Sequence, residues 1–372
     1  MTGGGRSGFT TGSCAAAAAR AAAFMLLSGE KTDSVRIVTP AGVEYRPDIL
    51  DIRFTASGVS CGVRKEAGDD PDVTDGAVIR AEVKTAPGGW REVTVLGGEG
   101  VGTVTRPGLD QPVGSAAINS VPRRMIRDEV RAVMEQMGYE GAVRVTISVP
   151  GGAELAEQTF NARLGIVGGI SIIGTTGVVE PMSTKALIDT IRVGLRQQKA
   201  EGADYALISP GNYGLEFLRS CYGCAPERVV LCSNFIGEAV DLARETGFRR
   251  MLLAGHVGKL VKVSGGIMNT HSREADARME LLAAAAVRCS APRGTVTAVL
   301  DSVSTEEAYG HLKAAGAAEA CSRYLIQRIC YYLSRRAGPD LSVQCVMFSS
   351  VSGILGASEE AEKWLLEVGR YD

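Results

Sequence analysis

Four carboxylates stand within seven residues at Asp69-Asp70-Pro71-Asp72-Val73-Thr74-Asp75. Such crowding is costly unless the charges are solvated, paired or bound to a cation. The pattern excludes a calcium loop. A loop opening at Asp70 puts Asp75 where glycine makes the turn and Ala81 where glutamate closes the shell. Asp70 and Asp72 stand as candidate catalytic groups, either as a wall facing a cationic ligand or as a proton acceptor of raised pKa. A solvated turn held by Asx hydrogen bonds is the alternative. Two imidazoles join them: His256 in Gly255-His256-Val257-Gly258-Lys259 and His271 in Asn269-Thr270-His271-Ser272, both on polar loops.

Glycine offers a second kind of chemistry, close approach of backbone to ligand. The run from Gly165 to Gly177 holds two glycine-dense turns and three hydroxyls, and leads through Glu180 to a helix. Its candidate contacts are Gly168, Gly169, Ser171, Gly174, Thr175, Thr176, Gly177 and Glu180. Gly211 and Asn212, in the loop Ser209-Pro210-Gly211-Asn212-Tyr213-Gly214, join them. If the longer loop contacts a ligand, Gly169→Val should block binding without unfolding the chain. Neither loop is a dinucleotide fingerprint, because the Gly-x-Gly-x-x-Gly spacing is absent. Gly255 to Lys262 imitates a phosphate loop, but its glycines are too close and Leu260 holds the Ser/Thr position. Ser171 lacks the downstream glycine of a hydrolase elbow.

Anion-binding candidates are Thr10, Thr11 and Ser13, where free amides open an Ala-rich helix; plain capping by Thr11 or Ser13 is the alternative. Arg123, Lys259, Lys262 and Arg273 flank polar loops and could pair with carboxylates. The isolated Cys221/Cys224 pair and three scattered histidines lack zinc-ligand spacing, so no protein-bound metal is expected.

These loops need elements to hold them. Ala15 to Leu27 predicts a buried helix rather than a signal peptide, since Arg20 interrupts it and Ser28-Gly29-Glu30 is a poor cleavage site. Strands are predicted at Val35 to Val38, Ile52 to Thr55, Ala77 to Val83, Glu92 to Leu96 and Val143 to Val149, with a helix over 115–137. Without a βαβ rhythm, residues 1–150 read as an α+β domain. From 151 to 372 the rhythm alternates. Strands at 205–208, 229–232, 251–254, 296–300 and 343–348 are interleaved with helices at 184–199, 215–221, 238–246, 273–288 and 359–368, with two further helices between 300 and 343. That predicts a larger α/β domain with a mostly parallel sheet, whose ligands bind at the carboxyl ends of its strands.

Composition narrows the partners. The 372 residues carry 40 basic and 42 acidic side chains, for a net charge of -2, so no global field attracts nucleic acid or an anionic membrane. Aromatic residues are only 5%, too few for base-stacking platforms. Nine cysteines, an odd number mostly inside apolar runs, read as reduced thiols of a cytoplasmic protein.

Taken in order, several segments resemble one family. They are Gly8-Phe9-Thr10-Thr11-Gly12-Ser13-Cys14, the acidic run Gly68 to Thr74, Gly100-Val101-Gly102, Ala117-Ile118-Asn119 and Phe160-Asn161. With them go Gly168 to Ser183, Ser233-Asn234-Phe235-Ile236-Gly237, Gly255 to Lys259 and Asn269 to Ser272. The family is the cobalt-precorrin-5B C(1)-methyltransferases (CbiD), and the likeness covers about residues 8 to 290 and, more loosely, the rest. The resemblance implies methylation of carbon 1 of cobalt-precorrin-5B to cobalt-precorrin-6A in anaerobic cobalamin synthesis, with S-adenosylmethionine as donor. It also implies a cobalt-bearing tetrapyrrole acceptor and a fold unlike the pathway's other methyltransferases. The glycine-rich contacts would then serve the donor, and the basic residues with Thr10, Thr11 and Ser13 the acceptor's carboxylates. A homo-oligomer is compatible with this. Two departures stand out: the family often has His at the position of Asp75 and Pro at that of Ser120, which puts an acid–base role at 75 in doubt. Two readings of other classes remain, a nicotinamide-dependent reductase and a non-catalytic tetrapyrrole carrier.

Overall fold

The computed structural model describes residues 6–179 and 184–368. The chain divides into two compact units that meet in sequence at Ser183 and Thr184.

The first unit packs two helices, α1 (Thr11–Ser28) and α2 (Ser120–Gln136), against a five-stranded sheet. The strands are β1 (Leu50–Thr55), β2 (Gly58–Arg64), β3 (Val78–Ala86), β4 (Val93–Gly97) and β5 (Ala142–Ser148), in the order β1-β2-β3-β5-β4. Only β4 and β5 run parallel. Alternation places Ile79, Ala81 and Val83 of β3 inward. Between α2 and strands β2 and β3, helix α1 is buried on every side. That explains its alanines, since only a methyl group fits where two neighbours approach the helix so closely. By length and composition α1 could cross a membrane, but here it is a core helix. Its N-cap is Thr10 rather than Thr11 or Ser13: the Thr10 side chain accepts from the Ser13 amide at 3.2 Å.

This unit runs past the expected boundary at residue 150. Gly8 and Phe9 pair antiparallel with Val179 and Val178, and Val101 and Ile118 bridge to Ile170 and Ile172. These backbone bonds make residues 151–179 part of the first core.

The second unit is a sheet covered on both faces. In chain order its elements are α3 (Thr184–Ala200), β6 (Ala206–Ser209), α4 (Asn212–Tyr222), β7 (Val230–Leu231), α5 (Ile236–Glu245), β8 (Arg250–His256) and α6 (Val257–Val263). Then follow α7 (Arg278–Arg288), α8 (Arg293–Asp301), α9 (Thr305–Ala314), α10 (Ala318–Ala337), β9 (Ser342–Ser349), β10 (Gly353–Ala357) and α11 (Ala361–Val368). The strand order is β7-β6-β8-β9-β10, parallel except for the edge strand β10. Met251 and Leu253 face one apolar cluster, Leu252 and Ala254 the other. A mixed first unit and a parallel-sheet second unit match the expected fold classes.

Residues 296–300 form helix α8, not a strand. Val296 and Val299 pack into the core while Leu300 is largely exposed, which is helical spacing rather than alternation. The helix expected from Arg273 begins at Arg278.

Candidate functional site

The chain leaves β6 for β7 on one side and returns to β8 on the other, so the strand order reverses between β6 and β8. Such a switch point opens a crevice in a parallel sheet. Here it is a cavity of about 610 Å³ between the Ser209–Gly214 loop, the start of α6 and the Thr270–Ser272 loop. Lys259, His271 and Arg278 line it, with Asn212, Asn234 and Thr305, and among the described residues no carboxylate does.

The loop after β6 needs its glycines. Gly211 has φ 149°, a region L side chains avoid. A Cβ on Gly214 would strike the Ser209 hydroxyl and the Ala254 carbonyl, so glycine lets α4 close down on the strand ends. Helix α4 opens with the amides of Asn212 and Tyr213, which have no acceptor among the described residues.

His256 caps α6: its Nδ1 accepts the Gly258 amide at 3.1 Å. Nε2 lies 3.1 Å from Glu306 Oε1 and 3.4 Å from the Ser350 amide. The shorter contact with an acceptor-only carboxylate assigns the proton to Nε2. Ser349 donates to the other Glu306 oxygen at 2.6 Å. Both ring nitrogens are thus engaged, and His256 positions α6 instead of offering a free base, contrary to the expected catalytic role. That helix delivers Lys259 to the cavity. The Lys259 ammonium is half-buried and donates to Pro210 O at 2.6 Å and Ser233 O at 3.2 Å. Burial, more than the nearby Lys262 charge, pushes its pKa down.

His271 lines the cavity and accepts the Arg273 amide on Nδ1 at 3.1 Å, so that nitrogen is engaged by the protein. Lys262 is 2% exposed and bound to Thr270 O and Ala275 O, with Asp276 Oδ1 at 3.8 Å. It anchors the loop and is not free for substrate. Arg273 is exposed and does not line the cavity; Arg278 does, held bidentate by Asp276 at 2.6 and 2.9 Å.

The remaining candidates sit in the first unit. Asp72 accepts from Lys65 Nζ at 2.6 Å and from the Thr74 amide and hydroxyl at 2.8 and 2.7 Å. Burial raises its pKa, but these bonds outweigh it and hold the carboxyl below its usual range. The expected proton acceptor is instead the ionised partner of a lysine that is 2% exposed. Asp70 lies partly buried in the same turn, its carbonyl accepting the Asp72 amide at 2.8 Å.

Thr10, Thr11 and Ser13 are buried and spent on protein groups. Thr11 accepts the Ile173 amide at 2.9 Å and Ser13 donates to Gly177 O at 2.6 Å. They fasten the glycine-rich loop to α1. Arg123 gives its guanidinium to the carbonyls of Ile118, Val95 and Ala116. A Cβ on Gly169 would collide with the Gly100 carbonyl, one on Gly174 with Thr10 and one on Gly177 with Thr39. Ser171 lies 3.4 Å from Asn161 Oδ1 and Thr176 donates to Val178 O at 3.0 Å. Gly168 and Thr175 are exposed. Glu180 lies outside the described residues. Among the described residues no three His, Cys, Asp or Glu side chains gather as a metal site requires, and all nine cysteines are free thiols.

Sequence reasoning passed over Arg278 and Thr305. The helix starts that place them were hidden, one by a helix read from Arg273, the other by reading α8 as a strand. Their signal was polar residues just ahead of an apolar helical period.

Comparison with family models matches residues 2–181 to CbiD and residues 269–359 to the CbiD C-terminal domain. The cobalt-precorrin-5B C(1)-methyltransferase of Ruminiclostridium cellulolyticum is 44% identical over 93% of this chain and 89% of its own length. The protein of the same name from Thermoanaerobacter sp. (strain X514) is 44% identical over 96% of this chain and 97% of its own. A crystal structure of a cobalamin biosynthesis protein (cbiD) from Archaeoglobus fulgidus covers 74% of this chain and 84% of that one. It is 29% identical, with a TM-score of 0.40.

Proposed function

The chain belongs to the CbiD family, and from that membership we propose that it transfers a methyl group from S-adenosylmethionine to carbon 1 of cobalt-precorrin-5B. The cobalt belongs to the acceptor and is not a resident metal. The observation that carries this reading is likeness at 44% identity over nearly the whole of relatives with that activity in their name.

The chemistry suits the side chains. A sulfonium methyl is already electrophilic, so the protein's task is in-line placement more than base catalysis. Asp72, His256 and His271 have their basic atoms engaged by protein donors, in keeping with that division of labour. The cavity of the second unit, cationic and with no carboxylate among its described lining residues, suits acetate and propionate arms or an amino-acid carboxylate. It offers the sulfonium no acid, so it fits the anionic part of a ligand and not the reacting methyl.

Incubation of the protein with isotopically labelled donor and cobalt-precorrin-5B under anaerobic conditions is expected to add one labelled methyl to the acceptor, read by mass spectrometry. An acceptor of unchanged mass, with authentic substrate and folded protein, would sink the assignment.

A further inference from the structure

We propose that the cavity at the ends of β6 and β8 is the seat of one ligand carboxylate, and that this carboxylate is the missing counter-charge of Lys259. The inference rests on the methyltransferase reading and adds to it the group that is held and the residues that hold it.

Four lysines of the described chain are not exposed: Lys65, Lys84, Lys259 and Lys262. Three of them have a carboxylate at hand, Asp72 at 2.6 Å, Glu82 at 2.8 Å and Asp276 at 3.8 Å. Lys259 has none among the described residues, although it is half-buried and its ammonium is desolvated enough to lower its pKa. Two carbonyls take two of its three N–H groups, which leaves one donor and a whole charge without an acid. A cation drawn out of water without a counter-ion is unfavourable unless a ligand supplies one.

The surroundings point the same way. Glu306 is committed to His256 and Ser349. Asp276 is committed to Arg278 and Lys262. The residues that line the cavity include the cationic donors Lys259 and Arg278, with His271 and with Asn212 and Tyr213, whose amides open α4. They come from separate segments of the chain and suit an acceptor-only group with several lone pairs. Under the methyltransferase reading both reactants carry carboxylates and neither carries a phosphate. The carboxylate is therefore either the amino-acid end of the donor or a peripheral arm of the acceptor. A whole tetrapyrrole is too large for about 610 Å³, so an acceptor would insert an arm only.

Calorimetry separates the two sources. S-adenosylhomocysteine, its carboxylate-free relative methylthioadenosine, and cobalt-precorrin-5B are each titrated into the wild-type protein and into Lys259→Met, which keeps the stem and drops the charge. If the seat holds the donor, Lys259→Met weakens S-adenosylhomocysteine at least tenfold, leaves methylthioadenosine unchanged and leaves the acceptor unchanged. If it holds an arm, only the acceptor weakens tenfold. Either pattern supports the seat and names its occupant. Unchanged affinity for all three ligands overturns it while leaving the methyltransferase reading intact, and a wild-type protein that binds none of them overturns both. His271→Ala, on an exposed loop, repeats the test should Lys259→Met fold poorly, with a smaller loss expected for the same ligand.

Discussion

Asp72→Ala is expected to destabilise the protein by about 3 kcal/mol, the lower end for breaking a buried ion pair, because Asp72 keeps some contact with water. The loss falls on Lys65, which is 2% exposed and would be left as a buried charge with no acid beside it. Against a typical stability of about 5 to 15 kcal/mol this is a large share. The pH dependence has a definite sign. The folded pKa of Asp72 is lowered, so its contribution is fully present above the unfolded value of about 3.9 and is lost as pH falls through the folded one. Denaturant titrations across that range should show an acid limb in the wild-type protein that is shallower in Asp72→Ala, where Asp110 and Asp276 still contribute. The double variant Lys65→Met/Asp72→Leu should recover most of the stability, since replacing both charges removes the unpaired one. Equal stability of wild type and Asp72→Ala at neutral pH would refute the account.

Gly169→Val is expected to cost about 3 kcal/mol or more, at the upper end for overpacking, because the obstacle is backbone and cannot rotate aside. The added Cβ would lie closer to the Gly100 carbonyl than the 3.0 Å that real side chains keep. Two hydrogen bonds would part with it, Ile170 N to Gly100 O at 3.0 Å and Gly102 N to Ile170 O at 2.9 Å. Gly168→Ala is the control. Its neighbour space is empty, so only the strain of φ 83° remains, about 1 kcal/mol. Thermal unfolding of the pair is the measurement. A Gly169→Val protein that melts like wild type yet fails to bind ligand would restore the ligand-contact reading.

That contrast marks where the residues were legible. Alternation of apolar strands and helices announced the parallel sheet, and the loops after Ser209 and Gly255 were singled out because such loops end strands. Both line the cavity. The acidic run was visible too, but not its purpose, because its partner Lys65 lies across a turn and nothing local marks a lysine as buried. The hydroxyls of Thr11 and Ser13 looked free for a ligand because their partners are about 160 residues away in sequence. Both histidines looked reactive because one-dimensional context does not show which backbone amide a ring nitrogen receives. Residues 296–300 misled for a simpler reason: a five-residue window rich in Val and Leu is too short to separate a period of 2 from one of 3.6.

The pairing of Gly8 and Phe9 with Val179 and Val178 also orders events in time. Synthesis delivers the opening of α1 first and its last fasteners, Ile173 and Gly177, far later. Until residue 179 has emerged from the ribosome, an alanine helix without a polar face waits for its final cover. Closing so long a loop costs chain entropy that a local hairpin does not. The first unit therefore gains its last fasteners late, and a fragment that stops at residue 150 keeps the pairing of Phe9 with Glu66 but lacks Ile173, Gly177, Val178 and Val179.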